Sequence, residues 1–253
     1  MKTLPVAFQL YSIREEANDD FIKAIQELKK MGYEGVELAG LYGYSPEQIR
    51  DILKEIGLVP ISAHVPYEAF LEDLQGTIES YALIGCRYVA IPYLTEGNRY
   101  GTENFKEFME QIPVIARACN EAGLGLLYHN HDFEFQKTAE GEYILDYMYR
   151  LQPKELLKVE LDTCWAKYSG VDPVGYLGKY DKRCPVIHVK DYNGAEPFEF
   201  RPLGYGVQNI PAILEQAVAV GCEWIIAEQD GHTEHTGLED ARLSKEYLKT
   251  LGW

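Results

Sequence analysis

Four of the six histidines in this chain stand at or just beyond the ends of short apolar runs, and acidic residues end several neighbouring runs. His64 closes VPISAH (59–64), His129, Asn130 and His131 close and follow LGLLYHN (124–130), and His188 sits in VIHVK (186–190). Glu160 and Asp162 close LKVELD (157–162), and Glu228 closes WIIAE (224–228) ahead of Gln229 and Asp230. If the four last runs are neighbouring strands, His129, Asp162, His188 and Glu228 converge as two imidazoles and two carboxylates, a donor set suited to an open divalent metal site. Side chains two residues apart on a strand share a face, so His131 and Lys190 join the same cluster. Glu228, His131 and Lys190 are then the acid and base candidates, and a metal beside Lys190 would lower its ammonium pKa. The competing roles are an ion pair from Lys190 to Asp191 or Glu160, and support of a ligand by His131.

Other polar residues fall at equivalent positions. Gln9 ends and Tyr11 follows VAFQL (6–10), and Glu37 lies in GVELA (35–39); with His64 they are candidates to bind a substrate or to orient ligands. Trp165 offers an apolar ring face for stacking on a ligand, or simply for core packing. Arg201 and the amides of Pro-Leu-Gly-Tyr-Gly (202–206) offer a weak anion site.

Positioning these residues requires eight strands, and with YVAIP (88–92) the chain has eight such runs separated by segments of helical period. That alternation predicts an α/β fold, a single (β/α)8 barrel over residues 1–253, whose site lies at the C-terminal ends of its strands. Ser45, Pro46 and Gln48 form a capping-box start for a helix carrying Ile49, Ile52, Leu53 and Ile56, while Phe21, Ile25, Leu28 and Met31 mark the helix before it. Glycine closes a helix ahead of a strand five times, at Gly32, Gly57, Gly85, Gly123 and Gly221. Residues 104–122 read as one helix bent at Pro113, and shorter helices are expected at 172–180, 210–220 and 238–250. The segment after the first run, YSIREEAND, has no glycine, which argues against a dinucleotide-binding fold.

Composition narrows the function. Forty acidic against 24 basic residues leave a formal charge of −16, which repels nucleic acid and anionic membranes. No apolar run is long enough to span a bilayer, and MKTLPVAFQL lacks the apolar core and cleavage site of a leader, so a cytoplasmic location is expected. Five scattered cysteines suggest neither disulfides nor a zinc ribbon.

The chain resembles the xylose-isomerase-like barrels of the sugar phosphate isomerase/epimerase group, whose relatives include D-tagatose 3-epimerase and inosose dehydratase. The resemblance runs along the whole chain through FQLYSIR, GYEGVEL, ISAH, YHNHDFEF, ELDTCW, HVKD, PLGYG and AEQD, in that order. It implies one divalent metal ion, manganese foremost with zinc, cobalt or magnesium as alternatives, bound by residues of strands five to eight. Asp162, His188 and Glu228 fall on the ligand positions of these motifs. Strand five departs, because His129 stands where the group's epimerases carry Glu, with His131 as an alternative and Glu134 beyond the strand end. Trp165 replaces a substrate-contacting His.

The resemblance therefore implies a small carbohydrate or cyclitol substrate and a proton taken from the carbon α to a metal-polarised carbonyl, in a chain that can form homo-oligomers. Sugar isomerase or epimerase is the first reading. A metal-bound imidazole is a poor base, so the loss of one glutamate favours one-sided chemistry: isomerisation, or a lyase resembling inosose dehydratase or an enzyme that eliminates from 3-keto-glycosides. A non-catalytic sugar-binding barrel is the further alternative.

Overall fold

In the computed structural model, which describes residues 3–253, eight parallel strands close into a barrel. They are β1 (Val6–Gln9), β2 (Gly35–Leu38), β3 (Val59–His64), β4 (Tyr88–Ile91), β5 (Gly125–His129), β6 (Lys158–Asp162), β7 (Val186–Val189) and β8 (Trp224–Ala227). Each pairs with its chain neighbours, and β1 closes on β8 through Val6↔Ile225, Ala7↔Ile226 and Phe8↔Ala227. All eight expected runs are strands. Between β7 and β8 the chain adds a short antiparallel ladder, Asp191–Tyr192 with Phe200–Arg201.

Helical segments follow every strand, and their apolar stripes turn onto the sheet. Phe21, Ile25 and Leu28 are buried and Met31 half-buried in Phe21–Met31; Ile49 and Leu53 are buried in Pro46–Ile56, with both halves of the Ser45–Gln48 capping box formed. The five closing glycines all take left-handed φ, between 78° and 101°. The helix Glu103–Glu121 runs without interruption through Pro113. The 172–180 segment resolves into Pro173–Leu177 and one 3₁₀ turn, and the last two helices are Ile210–Ala219 and Gly237–Thr250.

Two cores result. One fills the layer between strands and helices; the other lies inside the barrel and includes Ala7, Ile61, Ala90, Leu127, Val186 and Ile226. Side-chain alternation along the strands places the next inward layer two residues on, at Gln9, His129, His188 and Glu228. A dry floor therefore lies directly beneath a polar layer.

Candidate metal centre and active-site cavity

Register brings the polar residues together. Asp162 pairs with His188 across β6 and β7, His129 pairs with Glu160 across β5 and β6, and Ile226 pairs with His188, which puts Glu228 beside and above that imidazole. One ligand atom from each of His129, Asp162, His188 and Glu228 lies within 4.8 Å of the others, and all four residues are buried. A second such group, His64, His129, Glu160 and His188, sits beside it.

Each imidazole has a carboxylate behind it at ion-pair distance. His188 Nε2 lies 2.7 Å from Glu37 Oε2, which turns Nδ1 to within 2.5 Å of Glu228 Oε2. His129 Nδ1 lies 3.3 Å from Glu160 Oε2, which turns Nε2 toward Asp162 Oδ2 at 3.6 Å. Glu37 is itself fixed by Gln9 Nε2 at 2.6 Å and by the Ser62 hydroxyl at 2.5 Å. A carboxylate behind each imidazole is the arrangement that fixes the tautomer and raises the basicity of a metal-binding histidine.

Asp162 shows the same division of labour. Its Oδ1 accepts the amides of Cys164 and Trp165, capping Thr163–Tyr168, and leaves the buried Oδ2 with no hydrogen bond. Three carboxyl groups, Asp162, Glu228 and Asp230, surround the Lys190 ammonium, and Glu37 and Glu160 lie against the His188 imidazole. Two imidazoles and two carboxylates buried within reach of one another, with Asp162 Oδ2 held by no hydrogen bond and facing the Lys190 ammonium, fit a divalent cation.

Lys190 is 1% exposed, and its Nζ lies 3.0 Å from Asp162 Oδ2, 2.7 Å from Glu228 Oε2 and 2.9 Å from Asp230 Oδ2. Its partners are thus not the expected Asp191 or Glu160, because its inward direction carries it across to β8. Burial would lower its pKa, but the three carboxylates outweigh burial and raise it well above the usual range. Burial also opposes ionisation of Glu228, yet Lys190 and His188 hold it well below the ordinary carboxylate value. For His131, burial and the positive neighbours act together, so the imidazole is held neutral. Its Nδ1 is buried without a partner, while its backbone amide is fixed by Glu134 Oε2 at 2.8 Å.

These groups open into a cavity of about 610 Å³ at the strand ends, lined by His64, His129, His131, Lys190, Glu228 and Asp230 on one side and by Tyr11 and Tyr93 on another. Gln9 and Glu37 lie beneath it and are fully buried. Trp165 and Arg201 are not among the lining residues. The indole stacks on Phe198 with centroids 5.6 Å apart, and the guanidinium turns to Glu199 and Thr233. The amides of Gly204, Gly206 and Gln208 are occupied by the carboxylate of Asp191, each at 3.0 Å, so the glycine loop cradles an internal anion rather than a ligand. Asp230, noted in the sequence only as a strand-end polar residue, lines the cavity because the chain after β8 continues inward.

A family model of the xylose isomerase-like TIM barrel matches residues 25–251. The chain belongs to that family. Among curated relatives of this barrel, an inosose dehydratase of Geobacillus kaustophilus is 25% identical over 270 residues, covering 90% of this chain and 86% of that protein. The crystal structure of a sugar phosphate isomerase/epimerase from Parabacteroides distasonis superposes with a TM-score of 0.84 at 23% identity, covering 97% of this chain and 98% of the other. An IolI protein crystallised with a zinc atom superposes with a TM-score of 0.76 at 14% identity over 98% of each chain. The family is one of sugar isomerase/epimerase-like enzymes and includes inosose dehydratases.

Proposed function

We propose that the protein enolises a keto-sugar or keto-cyclitol bound to a divalent metal, and that the reaction ends in β-elimination. His129, Asp162, His188 and Glu228 would hold the metal, manganese foremost; when bound, it would polarise the substrate carbonyl and so acidify the neighbouring C–H. The supporting observation is the donor set itself: an imidazole, His129, stands at the strand-five position, so Glu228 is the one glutamate among the four grouped residues.

His131 is the base in this reading. Glu228 Oε2 is engaged by His188 and Lys190, whereas the His131 side chain lines the cavity and its ring is neutral. Lys190, charged and tied to Asp230, orients Glu228 and would offset negative charge developing on a departing oxygen. The likeness to inosose dehydratase supports elimination over return of the proton. Isomerisation differs only in the last step, where the proton goes back to the adjacent carbon.

Product analysis by proton NMR in heavy water separates these outcomes. Metal-loaded protein incubated with inososes, ketohexoses and 3-keto-glycosides should release water or an aglycone and yield an enone or its hydrate. Deuterium uptake at one carbon with every substituent retained would replace the lyase reading with isomerase or epimerase chemistry.

A further inference from the structure

Asp162 has a single oxygen to offer a cation, because its Oδ1 is taken by the amides of Cys164 and Trp165. The Lys190 Nζ lies 3.0 Å from the other oxygen, Oδ2, and 2.7 Å from Glu228 Oε2, which itself faces His188 Nδ1 at 2.5 Å. Two of the four residues gathered for a divalent ion are therefore also partners of an ammonium. The lysine reaches them from the end of β7 and is 1% exposed, with the rings of Trp165 and Phe200 on its flank at 6.0 and 5.8 Å from Nζ.

The third partner is of a different kind. Asp230 stands outside the group of four, and both its oxygens accept from Nζ, at 3.0 and 2.9 Å. Its backbone is held in turn by Arg14, whose Nη1 donates to the Asp230 carbonyl at 3.1 Å. The carboxylates around Lys190 thus divide into two that a cation would share and one that belongs to the lysine alone.

A divalent ion and an ammonium that draw on the same two carboxylates repel each other, and burial leaves little solvent to screen them. We propose that Lys190 is an internal competitor of the metal, one that lowers the affinity of the site and keeps the ion exchangeable. With the ion bound, Nζ keeps Asp230 and gives up part of its hold on Asp162 and Glu228. In the chelated protein the ammonium alone offsets the repulsion between those two carboxylates, so the ligands stay gathered. The inference rests on the metal site proposed above and concerns its affinity, not the reaction.

Manganese titration of the untagged, metal-stripped protein against a fluorescent chelator tests this without any substrate. Lys190→Met should bind manganese about 10–100-fold more tightly than the wild type, whereas Lys190→Arg, which keeps the charge, should bind no more tightly. A second measurement reads the wild type itself. With isotopically labelled lysine, the Lys190 ammonium signal in the NMR spectrum, assigned by its absence in Lys190→Arg, should move as one equivalent of diamagnetic zinc is added.

Equal or weaker binding by Lys190→Met, tightening in Lys190→Arg to match Lys190→Met, or an ammonium signal that bound zinc leaves in place would each overturn the proposal. If Lys190→Met does not fold, the zinc titration decides alone. The metal site is scored separately through Asp162→Ala and His188→Ala. Binding that survives in both, or no binding by wild type and Lys190→Met alike, removes the site and its competitor together, while wild-type binding that Lys190→Met leaves unchanged removes the competitor alone.

Discussion

Glu37 and Glu160 touch no solvent, yet the site depends on them, because each fixes which nitrogen of a histidine faces the carboxylates of Asp162 and Glu228. Replacing either with Gln keeps the size and removes the charge behind the imidazole. Glu37→Gln and Glu160→Gln should each weaken divalent metal binding by about 10–100-fold in a protein that still folds, as read by metal titration after chelation. Unchanged affinity would show that the backing carboxylates do not tune the ligands. Lys190 gives the complementary case, since it neutralises three carboxylates from 1% exposure. Lys190→Met should cost the chelated protein about 3–5 kcal/mol in urea unfolding, and added metal should recover part of the loss by replacing the missing positive charge. Equal stability with and without metal would contradict the shared electrostatics of the lysine and the cation.

At the scale of elements, the strands were legible because apolar runs and inward alternation are local properties, and the helix starts because Ser45 and Gln48 satisfy neighbouring amides. The candidate ligands followed from the same alternation, since β5 to β8 end in the same inward layer. Arg201, Trp165 and the glycine loop were not legible, because their orientation is set by contacts distant in sequence. Phe198 claims the Trp165 face from 33 residues away, and Asp191 claims the loop amides before any ligand can. Asp191→Ala should leave those amides short of an acceptor, at roughly 1–3 kcal/mol for a buried polar group left unpaired, with local loss of hydrogen-exchange protection over 203–208. Retained protection there would show that the loop holds itself without the carboxylate.

The whole molecule depends on the seam where β1 meets β8, because the first and last strands must close the barrel and the site draws residues from both sides of it. Beyond the strand pairing, Ser12 Oγ accepts the Gln229 amide at 2.9 Å, and His232 bridges the Ser12 carbonyl at 2.6 Å and Asp240 Oδ2 at 2.7 Å. Both acceptors call for an N–H, so the charged imidazole fits the bridge. Burial would lower the pKa of His232, but Asp240, the Ser12 carbonyl and Glu16 raise it above its ordinary value. A raised folded pKa makes this contribution fully present below the unfolded value of about 6.5 and lost as pH climbs through the folded value. Urea unfolding of the wild type should therefore lose stability relative to His232→Gln as pH rises from about 6 to 9, and parallel profiles would show that the seam does not titrate.

The central claim is that a metal held by His129, Asp162, His188 and Glu228 acidifies a substrate C–H. Deuterium uptake or elimination can be followed by proton NMR on untagged protein as purified, after chelation, and after return of one equivalent of manganese. The account predicts loss on chelation, recovery at one metal per chain, and no recovery in Asp162→Ala or His188→Ala. Full turnover by the chelated wild type, or metal-restored turnover in those variants, would contradict it.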